Sequence, residues 1–123
     1  MVREQKCPLE DEECRVFAMW LKIMKVPFAH IANESRSHGR NAVIRGAKLK
    51  VMGQSRGYWD YDVFVPKGDG FKLIKIEMKR QKGGTVSPEQ KEWGKVYEKA
   101  GIPCKICRGA EEAMDFVKEI WYN

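Results

Sequence analysis

The sequence predicts an α/β domain: a mixed central sheet flanked by helices, in the order α-β-β-β-α-β-α. Three observations carry that expectation. Residues 71–79 alternate, with Ile74, Ile76 and Met78 on one side and Lys75, Glu77 and Lys79 on the other, which is the period of a strand. Residues 87–101 read as a helix, with Ser87 as cap, Pro88 at the first position and Gly101 as terminator. Phe17, Trp20, Leu21 and Met24 recur at helical spacing ahead of the first strand. Strands and helices interleaved in this way pack as a sheet between helical layers.

The elements follow in order. Pro8-Leu9-Glu10-Asp11 opens the first helix, because acidic residues crowd the turn where the helix dipole favours them. Glu13 lies on the same stripe as Phe17, and Pro27 ends the helix. Residues 28–32 form a short strand. Residues 33–57 are a long basic connection with a helical piece near 42–50, and a connection of that length points to a functional role. A strand over 58–66 is stopped by Pro66, and Lys67-Gly68-Asp69-Gly70 turns the chain into the strand 71–79. Gly83 and Gly84 break that strand; they lack the Lys-Ser/Thr of a phosphate-cradling loop. The helix after Ser87 runs to about Ala100, a strand covers 102–107, and a last helix runs from about Ala110 to Trp121.

Composition bounds the function. The chain has 123 residues, one domain spanning 1–123. At 43% hydrophobic and 33% charged it can build one modest core under a strongly charged surface. No apolar stretch approaches the ~20 residues of a membrane span. The charged N-terminus lacks the apolar segment of a secretory signal. The expected location is therefore the cytoplasm, of a cell or of an infected host. Net charge is +6, and because residues 1–15 and 108–123 are each net acidic, the positive excess sits in the middle. Arg36, Arg40, Arg45, Lys48, Lys50 and Arg56 share one stretch that holds no carboxylate. Such a block suits a loop that meets phosphates, or a solvated basic loop without a partner.

Cys7, Cys14, Cys104 and Cys107 could staple the fold or hold zinc. A disulfide framework needs an oxidising compartment. The Cys7–Cys14 spacing is too wide for a common zinc knuckle, and residues three apart on a strand, such as Cys104 and Cys107, face opposite ways. Buried thiols are the reading preferred.

Carboxylates cluster on the two strands of the predicted hairpin. Asp60 and Asp62 share a face of the first, and Glu77 and Lys79 share a face of the second, about 7 Å apart at the backbone. Phosphodiester hydrolysis needs a hard divalent cation to offset charge on the reacting phosphate, and such a cation takes oxygen ligands. Asp60, Glu77, the Met78 carbonyl and Glu13 of the first helix could supply them, with Lys79 to orient or help deprotonate an attacking water. An ordinary Glu–Lys pair on a surface hairpin is the competing reading. His30 reads as a core or structural histidine, and His38 lies in the basic stretch. Trp20, Trp93 and Trp121 read as core; Tyr58, Trp59 and Tyr61 either pack or offer a ring to a base.

The runs Met52-Gly53-Gln54-Ser55-Arg56-Gly57-Tyr58-Trp59-Asp60, Ile76-Glu77-Met78-Lys79-Arg80 and Thr85-Val86-Ser87-Pro88-Glu89-Gln90 together resemble the VRR-NUC branch of the PD-(D/E)xK nucleases. Leu9-Glu10-Asp11-Glu12-Glu13-Cys14 and Ala32-Asn33-Glu34 fit the same pattern, which runs from about residue 9 to residue 120. The resemblance implies a PD-(D/E)xK restriction-endonuclease-like core. It also implies a deoxyribonuclease dependent on Mg2+ or Mn2+ that leaves 5′-phosphate and 3′-hydroxyl ends. It puts the metal-binding Asp on Asp60, three residues after Gly57, and the E-x-K pair on Glu77 and Lys79. The helical Gln falls on Gln90, to orient Lys79 or a phosphate, and the first-helix acid on Glu13, or its neighbour Glu12. Glu34 is a further ligand or a turn cap. Trp59 stands where the family usually has Pro, Cys14 where a Gln is common, and Asp62 is the alternative to Asp60. Small phage-type relatives act on branched DNA as homodimers, which implies junction DNA and a homodimer here. A non-catalytic nucleic-acid-binding module on the same fold is the alternative.

Overall fold

In the computed structural model, which describes residues 7–31 and 56–123, helix α1 spans Glu10–Ile23. Arg36, Arg40, Arg45, Lys48, Lys50, Glu34, His38 and the helical piece near 42–50 lie outside the described residues. Glu10, Asp11, Glu12 and Glu13 occupy the first turn of α1, and the Glu12 carboxylate accepts from the Leu9 N–H at 3.1 Å. Pro27 does not end this helix. Lys25 does, in the left-handed region at φ 57. The Val26 N–H reaches back to the Leu21 carbonyl at 2.9 Å and the Lys25 N–H to Lys22 at 3.1 Å. Those bonds satisfy carbonyls that a helix end leaves open, and buried Val26 and Leu21 complete the motif.

Strand β1 (Phe28–His30) lies at one edge of a four-stranded sheet ordered β1-β2-β3-β4, with β2 at Tyr61–Lys67, β3 at Gly70–Lys79 and β4 at Cys104–Arg108. The β1–β2 and β2–β3 pairs are antiparallel and β3–β4 is parallel. Helix α2 (Pro88–Lys99) makes the crossover between the parallel strands, and α3 (Ala110–Tyr122) closes the chain. Element order and the mixed sheet agree with the sequence reading. Pro66 does not stop β2, which continues to Lys67 with Pro66 opposite Phe71. Phe64 donates its N–H to the carbonyl of Pro27, just before β1. The missing N–H of Pro66, on the same edge two residues on, falls beyond that neighbour, so no ladder bond is lost.

One face of the sheet carries the core. Tyr61, Val63 and Val65 lie on it with Ile74, Ile76, Met78 and Cys107. Phe17 and Leu21 of α1 and Ala113, Phe116 and Val117 of α3 close over them. Each fully buried Phe or Leu side chain adds ~1.5–3 kcal/mol, so this layer sets where α1 lies. The other face is not the solvated surface that alternation suggests. Lys75 is 1% exposed. Its ammonium pairs with Asp62 and sits 3.8 Å from the Tyr58 ring centre and 4.9 Å from that of Tyr97, beneath α2.

Lys75 is thus buried between the rings of Tyr58 and Tyr97, with Asp62 as its anion. Asp62→Ala is therefore expected to cost about 3 kcal/mol, the lower end for a broken buried pair because Asp62 is partly exposed, since it strands a buried ammonium without its anion. Adding Lys75→Met should recover most of the loss, and denaturant midpoints of the single and double variants check both expectations.

The cysteines are all free. Cys107 faces the core and Cys104 faces α2, its thiol 3.8 Å from the Gly94 carbonyl. They point to opposite faces as expected, and burial pushes the Cys107 thiol up to about 12. Trp20 and Trp121 pack against the core half-buried, whereas Trp93 packs on the opposite side, against Tyr58 and Tyr97.

Candidate metal centre

Register puts Asp60, the residue before β2, across from Glu77 of β3. Three hydrogen bonds fix the pair. The Asp60 N–H donates to Glu77 Oε1 at 3.2 Å, the Met78 N–H to Asp60 Oδ2 at 3.0 Å, and Gln90 Nε2 to Glu77 Oε2 at 2.8 Å. Lys79, two residues along the same face, brings Nζ to 3.4 Å from Glu77 Oε2. The N–H and C=O of one strand residue leave on the same side. The Met78 carbonyl therefore opens toward Asp60, while the next carbonyl, of Lys79, is taken by the Gly109 N–H at 3.0 Å.

The third carboxylate comes from Glu10. Oxygens of Glu10, Asp60 and Glu77 lie within 4.8 Å of one another. Glu13, the first-helix acid expected from the sequence, turns elsewhere. Its Oε2 accepts from Gln81 Nε2 at 3.2 Å and packs against Gly109, where a Cβ would come within 2.4 Å of it. Glu12, its alternative, turns back to accept from the N–H of Leu9, the N-cap of α1. Glu10 and Glu13 share the buried stripe with Phe17, so periodicity does not separate them. A helix rises 1.5 Å per residue, and that offset puts Glu10 over the Asp60–Glu77 pair and Glu13 against the start of α3. Asp62, the alternative to Asp60, is engaged by Lys75.

Three carboxylates this close repel one another. Burial, then the neighbouring charge of Asp60, pushes Glu77 up to about 8 against the pull of Lys79. Asp60 is raised chiefly by burial, opposed by the Met78 N–H and then by the charge on His30. A hard divalent cation would relieve this, and carboxylate oxygens with a main-chain carbonyl are the donors it takes. The residues present fit such an ion.

Gln90 does not reach Lys79. Its Oε1 accepts from the Ser87 N–H at 3.0 Å, its own N–H donates to Ser87 Oγ at 3.1 Å, and its amide NH2 holds Glu77. The same side chain thus caps α2 and orients a carboxylate. Gly57, at φ 78, packs against that first turn, where a Cβ would come within 2.6 Å of Glu89 Cβ and 2.8 Å of Gln90 N. No side chain fits there. His30 is not a core residue: it is exposed on β1, its ring 4.8 Å from that of Tyr61. Trp59 and Tyr61 are buried and Tyr58 packs against Trp93 and Tyr97. Arg56, the one described residue of the basic stretch, is exposed.

Fold and acidic face define an α/β core with carboxylates gathered at one end of the sheet beside a lysine. A solved structure described as a "VRR_NUC domain protein" shares this fold, with TM-score 0.71 at 23% identity over 92% of this chain and 88% of that one. No family model and no curated protein matches the sequence. Among the described residues, no helix is long and apolar enough to cross a membrane.

Proposed function

We propose that this chain is a divalent-metal-dependent endonuclease acting on DNA. The observation that carries the reading is the meeting of Glu10, Asp60 and Glu77 within 4.8 Å, with the Lys79 ammonium 3.4 Å from Glu77. Glu10, Asp60, Glu77 and the Met78 carbonyl would hold Mg2+ or Mn2+. When bound, the ion supplies Lewis-acid stabilisation of charge on the reacting phosphate. Gln90 and the Asp60 N–H keep the Glu77 carboxylate turned toward Asp60. Lys79 orients the attacking water by its N–H donors and offsets charge as the phosphodiester bond breaks. In-line attack leaves a 5′-phosphate and a 3′-hydroxyl. The cations Arg36, Arg40, Arg45, Lys48, Lys50 and Arg56 hold the DNA backbone, so affinity falls steeply with salt. Branched DNA is the proposed substrate. One such centre cuts one strand, so symmetric cutting of a junction calls for two copies of the chain.

The test is incubation with linear, nicked, flapped and four-way-junction DNA in Mg2+, in Mn2+ and in EDTA. Cleavage with either ion and none in EDTA is expected, fastest on the junction. Binding without cleavage under every condition would leave a non-catalytic module that kept the fold.

A further inference from the structure

We propose that Trp59 is a positioning residue for the Asp60–Glu77 pair, acting through the first turn of α2. The proposal rests on reading that pair as a metal site. Trp59 is 3% exposed and immediately precedes Asp60. Its indole Nε1–H donates to the Gln90 carbonyl at 2.8 Å, and its main-chain N–H donates to the Tyr97 hydroxyl at 3.3 Å. The ring stands edge-on to Tyr97, centroids 5.1 Å apart, and rests on Gly94, where a Cβ would come within 3.0 Å of Trp59 Cζ2.

These contacts close a ring of four residues. Asp60 N–H holds one oxygen of Glu77, and Gln90 Nε2 holds the other. The Gln90 carbonyl is held by Trp59, which is bonded through the peptide to Asp60. One helix turn therefore carries both the donor that aims Glu77 and the acceptor that locates the residue before Asp60. A displacement of the indole moves α2 relative to β2, and with it the angle between the two carboxylates. Burial alone would be met by any large apolar ring at this place. The donor aimed at Gln90, the residue whose side chain orients Glu77, gives the indole its second role.

The test is calorimetric titration of Mn2+ into wild type, Trp59→Phe and Gly94→Ala, with circular dichroism and melting curves on each. Trp59→Phe keeps an aromatic ring and removes the indole donor. Gly94→Ala keeps the donor, pushes the ring aside, and improves the propensity of α2. Both variants are expected to remain folded and to bind Mn2+ about tenfold more weakly, the lower end of the loss seen when groups that orient metal ligands are removed. A purely structural role would change melting temperature and leave Mn2+ affinity alone. Should Trp59→Phe fail to fold, Gly94→Ala carries the test. Wild-type affinity in the folded variants overturns the role of Trp59 while the metal site stands. Absence of Mn2+ binding by wild type overturns the site reading, and this proposal with it.

Discussion

Replacing Lys79 with alanine is expected to slow DNA cleavage by about a hundred- to ten-thousand-fold, the range lost when a positioned proton-transfer or charge-stabilising group is removed. Lys79 is 12% exposed, and its ammonium lies 3.4 Å from Glu77 Oε2, on the face that carries both carboxylates. A water or phosphate oxygen beside Glu77 would therefore lie near this cation. The carboxylates themselves are untouched, so Mn2+ binding should change by no more than about threefold at pH 8, on the order of 0.6 kcal/mol. At lower pH the loss should widen. Lys79 opposes the upward push on Glu77, so without it the carboxyl keeps its proton to higher pH and the ion must displace that proton. Single-turnover cleavage and calorimetry across pH 6 to 9 separate the two effects. Equal cleavage by wild type and Lys79→Ala would remove Lys79 from the mechanism.

Glu77→Gln is expected to abolish Mn2+ binding and cleavage and yet to stabilise the metal-free protein. The sign follows from the direction of the shift. Glu77 is pushed from an ordinary 4.5 up to about 8, chiefly by burial and then by Asp60. Between those two values the folded chain holds a proton that the unfolded chain releases. Stability of the metal-free protein therefore falls as pH rises through that window. Glutamine carries the neutral side chain at every pH, so the variant should show a flatter profile. The gain is limited: the Asp60 N–H and Gln90 Nε2 both point donors at position 77, and an amide offers them a single acceptor oxygen. A net gain of about 1–2 kcal/mol at pH 8 is expected after that conflict. Melting curves in EDTA from pH 5 to pH 8 measure it. Excess Mn2+ should then raise the melting temperature of wild type and leave the variant unmoved, since only a folded state that binds the ion gains from it. A wild-type profile flat over that range would contradict the burial argument.

Neighbouring residues along the chain were enough to read most of the architecture. The alternation of residues 71–79 located β3, and Ser87-Pro88 with Gln90 located the start of α2. Gly68, at φ 55 between the paired residues Lys67 and Gly70, marked the turn of the hairpin. Strand period was enough to group Glu77 with Lys79 and Asp60 with Asp62, but the register that sets Asp60 across from Glu77, and leaves Asp62 to Lys75, came from the tertiary structure. Other features resisted this reading. Alternation put Lys75 on the second face of β3, but it does not say that α2 covers that face. Pro66 looked like a stop, because its tolerance depends on where β1 ends.

The order of elements, the hairpin, and the placing of Asp60 with Asp62 on one strand face and Glu77 with Lys79 on another were read from the sequence itself, because caps, turns and side-chain period depend on a few adjacent residues. The choice of Glu10 over Glu12 and Glu13, the bond from Gln90 to Glu77, and the clasp of Trp59 on α2 were decided only by the tertiary structure. Each depends on where a helix comes to rest along the sheet. For α1 that position is set by Phe17 and Leu21 packing against β2, β3 and α3, a balance among residues far apart in the chain that no local pattern encodes.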